Sequence, residues 1–356
     1  MRRLALHRAD WRGHLVSLGI GAVGGALFFW MSMPLAWMMG SMIFVTIAAL
    51  AGLKPFMNRT FRAVMVSILG VFLGSAFSPE VIGQAGQWAM ALLVLILFIF
   101  TGSAIGYVFL RRVGGFDHVT AYFSSAPGGL SEMALASEEM GGDMRKVSLI
   151  HTIRVLMIIL VIPFWFRLVV GADVPSIMPP RPGPPAEWLD WAILVGCAVV
   201  GWPLAKLCRI PAASLVGPMI LSAIAHLTAL TYVQPPAAPV AAAQLVLGAA
   251  VGCRFAGTSL RLIGDVARLA VCTTALLLAL AVAFMAVFAG MIGVEPSAMI
   301  LVLAPGGLAE MSLIALALGI DTAFVSSMHM FRIMIIIVLG PTLFRVGRRL
   351  RGTTDS

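Results

Sequence analysis

The stretch Leu15–Leu53 reads LVSLGIGAVGGALFFWMSMPLAWMMGSMIFVTIAALAGL and contains no Lys, Arg, Asp or Glu. A second run without these residues extends over Ile210–Cys253. Each run is far longer than the roughly 20 apolar residues that cross a bilayer as a helix. Of the 356 residues, 60% are hydrophobic and 11% are charged, whereas soluble domains have about 25% charged residues. The sequence therefore excludes a soluble globule and predicts an all-α, polytopic membrane protein.

The basic residues of the chain are concentrated in the short segments between its apolar runs. The formal net charge is +9, from 24 Lys and Arg against 15 Asp and Glu. Basic residues in short loops are typical of the cytoplasmic side of membrane proteins. We therefore expect the lipid bilayer as partner and no nucleic acid. The 4 cysteines have no metal-ligand spacing, so neither a disulfide framework, a metal site nor a cofactor is expected.

The second half of the chain repeats the first. Ala126–Leu130 and Ala304–Leu308 both read APGGL, and each copy is followed by Glu-Met, Asp, His-x-x-Arg and Pro at the same spacing. At an offset of 178 residues, 17 of the 38 positions from 126 to 163 are identical without a gap. We therefore predict an internal duplication. Its parts are a first membrane repeat (1–170), a periplasmic Pro-rich linker (171–187), a second membrane repeat (188–346) and a cytoplasmic tail (347–356).

Each repeat contains six apolar segments, and the fifth carries the Pro-Gly-Gly sequence. Proline removes a backbone donor and clashes with the preceding helical turn, and paired glycines weaken a helix further. A continuous helix through Pro127–Gly129 or Pro305–Gly307 is therefore not expected. The pattern predicts a broken helix or a re-entrant hairpin in each repeat.

Loop charge indicates how the segments cross the membrane. If each fifth segment enters and leaves on one side, each repeat crosses five times and the chain has about ten transmembrane helices. With both termini cytoplasmic, 20 of the 24 Lys and Arg then lie on the cytoplasmic face. An odd number of crossings gives the two repeats inverted topology. Inverted repeats with interrupted helices are the architecture of secondary transporters.

The two Pro-Gly-Gly segments are the first candidate site. Their exposed amides need a protein partner, a water-filled cavity or a ligand inside a membrane, although a tight turn that allows close helix crossing is an alternative. A carboxylate follows each segment, and it either marks a substrate pathway or proton relay or stabilises the amides at a helix start. The predicted substrate-binding residues are Pro127, Gly128, Gly129, Glu132, Pro305, Gly306, Gly307 and Glu310.

A second candidate group consists of His151 and Arg154 with their copies His329 and Arg332. Each pair has i, i+3 spacing and therefore shares one helix face. A buried guanidinium needs a carboxylate or carbonyl partner, and Glu132 and Glu310 are candidates for it. The group is interpreted either as internal ion pairs that tie hairpin to helix or as a substrate clamp or proton relay. Asp143 and Asp321 are predicted to cap helices.

The doubled motif resembles the bacterial AbrB duplication-domain membrane family, over nearly the whole chain. Members of that family carry the labels ammonia monooxygenase or AbrB family regulator, the latter implying regulation of gene expression. The family is distantly similar to the cation/proton antiporter and anion transporter superfamily. The resemblance implies a location in the bacterial cytoplasmic (inner) membrane and supplies no catalytic residues.

Our main hypothesis from these features is a secondary transporter of a small solute, with proton coupling left open. The alternative is a membrane-embedded regulator of gene expression that acts through a partner. Monooxygenase activity rests on a label alone, since the chain has no copper or iron ligand cluster. We therefore expect no enzymatic activity. The identity of the solute and any homo-oligomeric state are left open.

Overall fold

The computed structural model describes residues 2–79, 83, 86, 88–172, 175 and 186–352. No β-strand occurs among these residues, which confirms the all-α class. Short π- and 3₁₀-helical turns extend two of the helices at Phe166–Val170 and Cys253–Phe255. The α-helices are α1 (Arg2–Trp30), α2 (Ala36–Leu50), α3 (Arg59–Gly74), α4 (Trp88–Arg112), α5 (His118–Ser125), α6 (Leu130–Glu139), α7 (Met144–Trp165), α8 (Trp188–Leu207), α9 (Ala213–Leu227), α10 (Ala237–Gly252), α11 (Leu260–Ile292), α12 (Pro296–Leu303), α13 (Leu308–Ala317) and α14 (Thr322–Gly352).

Seven helices in the described part of the chain are long and apolar enough to cross a membrane. Their spans are Trp11–Trp30, Trp88–Arg112, Met144–Val170, Trp188–Leu207, Ala237–Phe255, Leu260–Phe288 and Thr322–Arg349. The other three segments expected to cross correspond to α2, α3 and α9, which have 15, 16 and 15 residues. At 1.5 Å per residue such helices are only about 22–24 Å long, against about 30 Å of hydrocarbon. A polytopic membrane protein is therefore supported, while the number of ten crossings stays a prediction.

The chain forms two compact units. The first consists of Met1–Gln84, Ile159–Leu260 and Ala309–Ser326, and the second of Ala85–Ile158, Arg261–Leu308 and Ser327–Ser356. Each unit thus draws helices from both predicted sequence repeats. Most of the predicted linker (171–187) and the last four residues of the predicted tail lie outside the described residues.

Glycines let the helices of the first unit pack closely. A Cβ added at Gly40 on α2 would overlap the carbonyl oxygen of Gly24 on α1, and one at Gly217 on α9 would overlap that of Gly201 on α8. These two pairs lie 177 residues apart, so both repeats use the same crossing. Small residues permit such close backbone approach in membranes, where dispersion contacts drive helix association.

The same unit shows reciprocal packing between the repeats. A Cβ at Gly70 on α3 would overlap the Leu215 carbonyl oxygen on α9, and one at Gly248 on α10 would overlap the Met38 carbonyl oxygen on α2. The third helix of each repeat therefore packs on the second helix of the other. Such reciprocal packing is the arrangement expected of two related repeats.

The predicted helix breaks are confirmed. In the first repeat α5 ends at Ser125 and α6 begins at Leu130, and in the second α12 ends at Leu303 and α13 begins at Leu308. Gly129 starts α6 in the left-handed region (φ 67°, ψ 43°), which favours glycine because it lacks a Cβ. Both breaks lie in the second compact unit.

Aspartates cap the helices next to the breaks. Asp143 accepts hydrogen bonds from the amides of Arg145 and Lys146, and Asp321 accepts one from the amide of Phe324. These contacts confirm the predicted caps of α7 and α14. Asp117 caps α5 in the same way, by accepting from the amide of Thr120. Burial raises the pKa of Asp117, but its hydrogen bonds, mainly from Thr120, outweigh this effect and leave the pKa below its usual value.

Candidate functional site

In the first repeat, His151 and Arg154 satisfy the carbonyl oxygens that the helix break leaves open. His151 Nε2 donates to the Phe123 oxygen at 3.0 Å. In an unbroken helix that oxygen would accept from the amide of residue 127, which is proline and has no N–H. Arg154 donates to the oxygens of Ser124 at 2.8 Å and Ala126 at 2.5 Å. Both side chains are buried, with exposed fractions of 2% and 1%.

The second repeat builds the same structure from its own residues. His329 Nε2 donates to the Leu301 oxygen at 2.9 Å, in place of the amide that Pro305 lacks. Arg332 donates to the oxygens of Ala304 at 2.6 Å and of Gly306. Arg332 also donates to the Val302 oxygen at 3.5 Å. Leu301, Val302 and Ala304 are equivalent to Phe123, Ser124 and Ala126, whereas Gly306 lies within the second break. The side chains of His329 and Arg332 are both 0% exposed.

The sequence left a carboxylate or a carbonyl oxygen open as the partner of Arg154, and among the described residues its guanidinium binds carbonyl oxygens and not Glu132. Within the second unit, neither Arg154 nor Arg332 forms an ion pair with a described carboxylate. The Glu132 side chain is exposed in the first turn of α6. Glu310 is buried, with 8% exposure, in the first turn of α13 and belongs to the first unit. The roles of both glutamates in a pathway or relay stay predictions.

Arg332 brings the two breaks together. Its terminal nitrogens bind the second break, and its Nε lies 3.7 Å from the position that a Cβ on Gly128 of the first break would occupy. A Cβ on Gly128 would also lie 3.1 Å from Ile336 Cδ1, one turn further along α14. No sequence signal distinguishes Ile336, an ordinary apolar residue in an apolar helix.

Several donors at the breaks have no acceptor among the described residues. They include the backbone amides of Gly128, Gly129 and Gly307, whereas the Gly306 amide donates to the Ala304 oxygen at 2.8 Å. The Nε atoms of both arginines are also buried without a hydrogen-bond partner in the described structure. Pro127 and Pro305 themselves are buried beside these groups. The two breaks therefore present unsatisfied donors in a buried region.

An apolar cavity of about 280 Å³ adjoins the first break. Two of its hydroxyl groups are already engaged, since Tyr122 donates to the Gly340 oxygen at 2.9 Å and Ser125 to the Tyr122 oxygen at 2.7 Å. The sequence did not reveal this cavity, because only Ala126 and Met133 of its lining belong to the doubled motif. It is lined by Ile99, Phe100, Ser103, Ala104, Tyr107, Tyr122, Ser125, Ala126, Met133, Ile335, Ile336, Leu339, Gly340 and Leu343.

The described residues do not cluster into a metal site. No group of three His, Cys, Asp or Glu side chains in that part of the chain lies close enough together to hold a metal ion. All four cysteines are free, and Cys197 is buried.

Comparison with known proteins identifies the family. Residues 37–347 match the sequence model of AbrB, described as transition state regulatory protein AbrB. The uncharacterized protein YhjN of Bacillus subtilis (strain 168) is 29% identical, over 94% of this chain and 93% of the relative. A protein of Escherichia coli (strain K12) named as a regulator, AbrB, is 23% identical over 93% of each chain. Because the model match covers most of its length, the chain belongs to the AbrB family, as its doubled motif predicted.

Proposed function

We propose that this AbrB-family protein is a secondary transporter of a small solute, with its binding site at the two helix breaks. The observation that carries the proposal is the doubled structure at Pro127–Gly129 and Pro305–Gly307. At each break a buried arginine donates hydrogen bonds to backbone carbonyl oxygens. Interrupted helices that meet inside the membrane form the binding sites of many secondary transporters.

The energetic cost of this structure favours a functional role. Buried guanidinium groups and unsatisfied amides are expensive in a membrane, and irregular backbone is tolerated there where it is buried in protein or lines a cavity. A helix without the proline would satisfy the same carbonyl oxygens with its own amides. Close helix crossing alone does not require a buried arginine at each break.

The proposed location is the inner membrane of a bacterium, with both termini cytoplasmic and the linker 171–187 periplasmic. The distribution of basic residues and the inverted topology predicted from it support this orientation. In that topology the two repeats lie antiparallel, so a site between their breaks is accessible alternately from either side.

Solute uptake into liposomes tests the proposal. The purified full-length protein is reconstituted, and uptake of cationic, neutral and anionic solutes is measured with and without a proton gradient. We expect saturable uptake of at least one solute, reduced in Arg154→Lys and retained in the surface variant Arg345→Lys. The absence of uptake across the panel under both conditions, with correctly inserted protein, contradicts a transport function.

The family and one relative are named as regulators, and these names motivate a second candidate function, a regulator that acts through a partner. Such a protein needs a cytosolic factor that binds it in native membranes. Affinity purification from membranes, with quantitative mass spectrometry against an unrelated membrane protein of similar abundance, tests this. A stoichiometric soluble factor supports regulation, and its absence counts against it.

A further inference from the structure

We propose that the solute bound at the two breaks is an anion that carries a carboxylate or another oxyanion group. This inference rests on the proposed function, because it names the substrate class of the same site. The predicted donors are the guanidinium of Arg332 and the amides of Gly128 and Gly129, all of which belong to the second unit.

The first argument is that the partners of both buried guanidinium groups are neutral. Arg154 and Arg332 are fully buried, at 1% and 0% exposure, and their partners are backbone carbonyl oxygens. Carbonyl oxygens satisfy hydrogen bonds but leave the net charge unchanged. No described carboxylate of the second unit pairs with either guanidinium. Two positive charges in a buried region favour an anion as the ligand and disfavour a cation.

The second argument is the open donor position on Arg332. Its Nε is buried and has no hydrogen-bond partner among the described residues. The same atom lies 3.7 Å from the site that a Cβ on Gly128 would fill. Because Gly128 has no side chain, only Ile336 Cδ1, at 3.1 Å, lies nearer to that position than this unsatisfied, positively charged donor.

The third argument is the backbone that surrounds this space. Gly128 and Gly129 immediately precede the ten-residue helix α6, and their amides have no acceptor in the described part of the chain. Unpaired amides at a helix N-terminus bind anions, because the donors and the helix dipole act together. An oxyanion accepts hydrogen bonds from the amides and from Nε at the same time, which a cation or an apolar solute does not do.

Binding is measured on the purified full-length protein in detergent, by the shift of its thermal unfolding midpoint. The probes are the sodium salts of acetate, succinate, citrate, phosphate and sulfate, titrated at constant ionic strength against sodium chloride. Choline chloride is the cationic probe. We expect at least one oxyanion, and not choline, to raise the midpoint in a saturable manner. Comparison of the carboxylates (acetate, succinate and citrate) with the inorganic anions (phosphate and sulfate) shows which kind of oxyanion binds.

Gly128→Ala is the decisive variant, because its Cβ would occupy the space beside Nε while every charge is kept. We expect it to weaken binding of the stabilising anion at least tenfold. The matched control is Gly264→Ala, where a Cβ would meet nothing within 4 Å. It should bind as the unmodified protein does. If no oxyanion stabilises the protein, or if both variants respond alike, the anion site is wrong.

Liposome uptake separates this inference from the proposed function. Uptake of a cationic or neutral solute with no uptake of any anion contradicts the anion site and leaves a transporter. Saturable stabilisation that Gly128→Ala abolishes, without uptake of the same anion, supports the site and contradicts transport.

Discussion

Arg154 donates to the carbonyl oxygen of Ala126 at 2.5 Å across 28 residues of sequence. Arg332 and Ala304 form the same bond in the second repeat, at 2.6 Å and the same separation. The Ala-Pro-Gly-Gly and His-x-x-Arg motifs are therefore two parts of one structure. The proline removes a helical donor, and the following histidine and arginine replace the donors that the break has lost.

His329 should contribute to stability through its hydrogen bond to the helix before the second break. We expect His329→Phe to lower the free energy of unfolding by about 1–3 kcal/mol, because it leaves the buried Leu301 oxygen without a donor. His329→Gln keeps a nitrogen donor and should recover part of this loss. Thermal unfolding in detergent measures both. Equal midpoints for His329→Phe and the unmodified protein would show that the bond is not important for stability.

The guanidinium shape of Arg332 should matter as well as its charge. Lysine keeps the charge but does not bind two carbonyl oxygens with the fixed fork of arginine. We therefore expect Arg332→Lys to cost about 1.5–3 kcal/mol, whereas Arg345→Lys on the exposed end of the same helix should cost almost nothing. Similar unfolding midpoints for the two variants contradict this role.

Glu132 should be dispensable for stability. Its side chain is exposed and forms no ion pair with a described residue of the second unit, so Glu132→Gln removes no stabilising contact. We expect a change within about 0.5 kcal/mol, as for most surface substitutions. A loss of several kcal/mol in the free energy of unfolding would support an ion pair between Glu132 and Arg154. Retained stability with lost uptake instead indicates a role in the transport pathway.

The sequence predicted the helical class from its long apolar runs. It also predicted the position of both breaks, because proline and glycine act locally on the backbone. It did not determine the partner of Arg154. A carboxylate is visible in a sequence, whereas every residue has a carbonyl oxygen, so the Ser124 and Ala126 oxygens carry no distinguishing signal. The contact between Gly128 and Arg332 depends on how the two repeats pack, and no spacing within a single sequence indicates that packing.

The orientation of the chain is testable with introduced cysteines. In a variant without the 4 native cysteines, Ser176→Cys should react with a membrane-impermeant thiol reagent in intact cells, and Ser356→Cys should react only after lysis. The reason is that the distribution of the basic segments predicts cytoplasmic termini and a linker on the outside. The reverse pattern of labelling would show that the predicted topology, and with it the hairpin form of the breaks, is wrong.

The glycine crossings of the first unit should be intolerant of even one methyl group. A Cβ at Gly24 would lie 2.7 Å from Phe44 Cγ and would overlap the Gly40 oxygen, so α1 and α2 must separate to accept it. We expect Gly24→Ala to cost about 1–3 kcal/mol through overpacking. Gly19→Ala, on the same helix with nothing within 4 Å, is the matched control and should cause no loss. Because Gly201 and Gly196 repeat this contrast on α8, the same pair of results is expected there. Equal unfolding midpoints for Gly24→Ala and Gly19→Ala would mean that close approach at this crossing does not stabilise the unit.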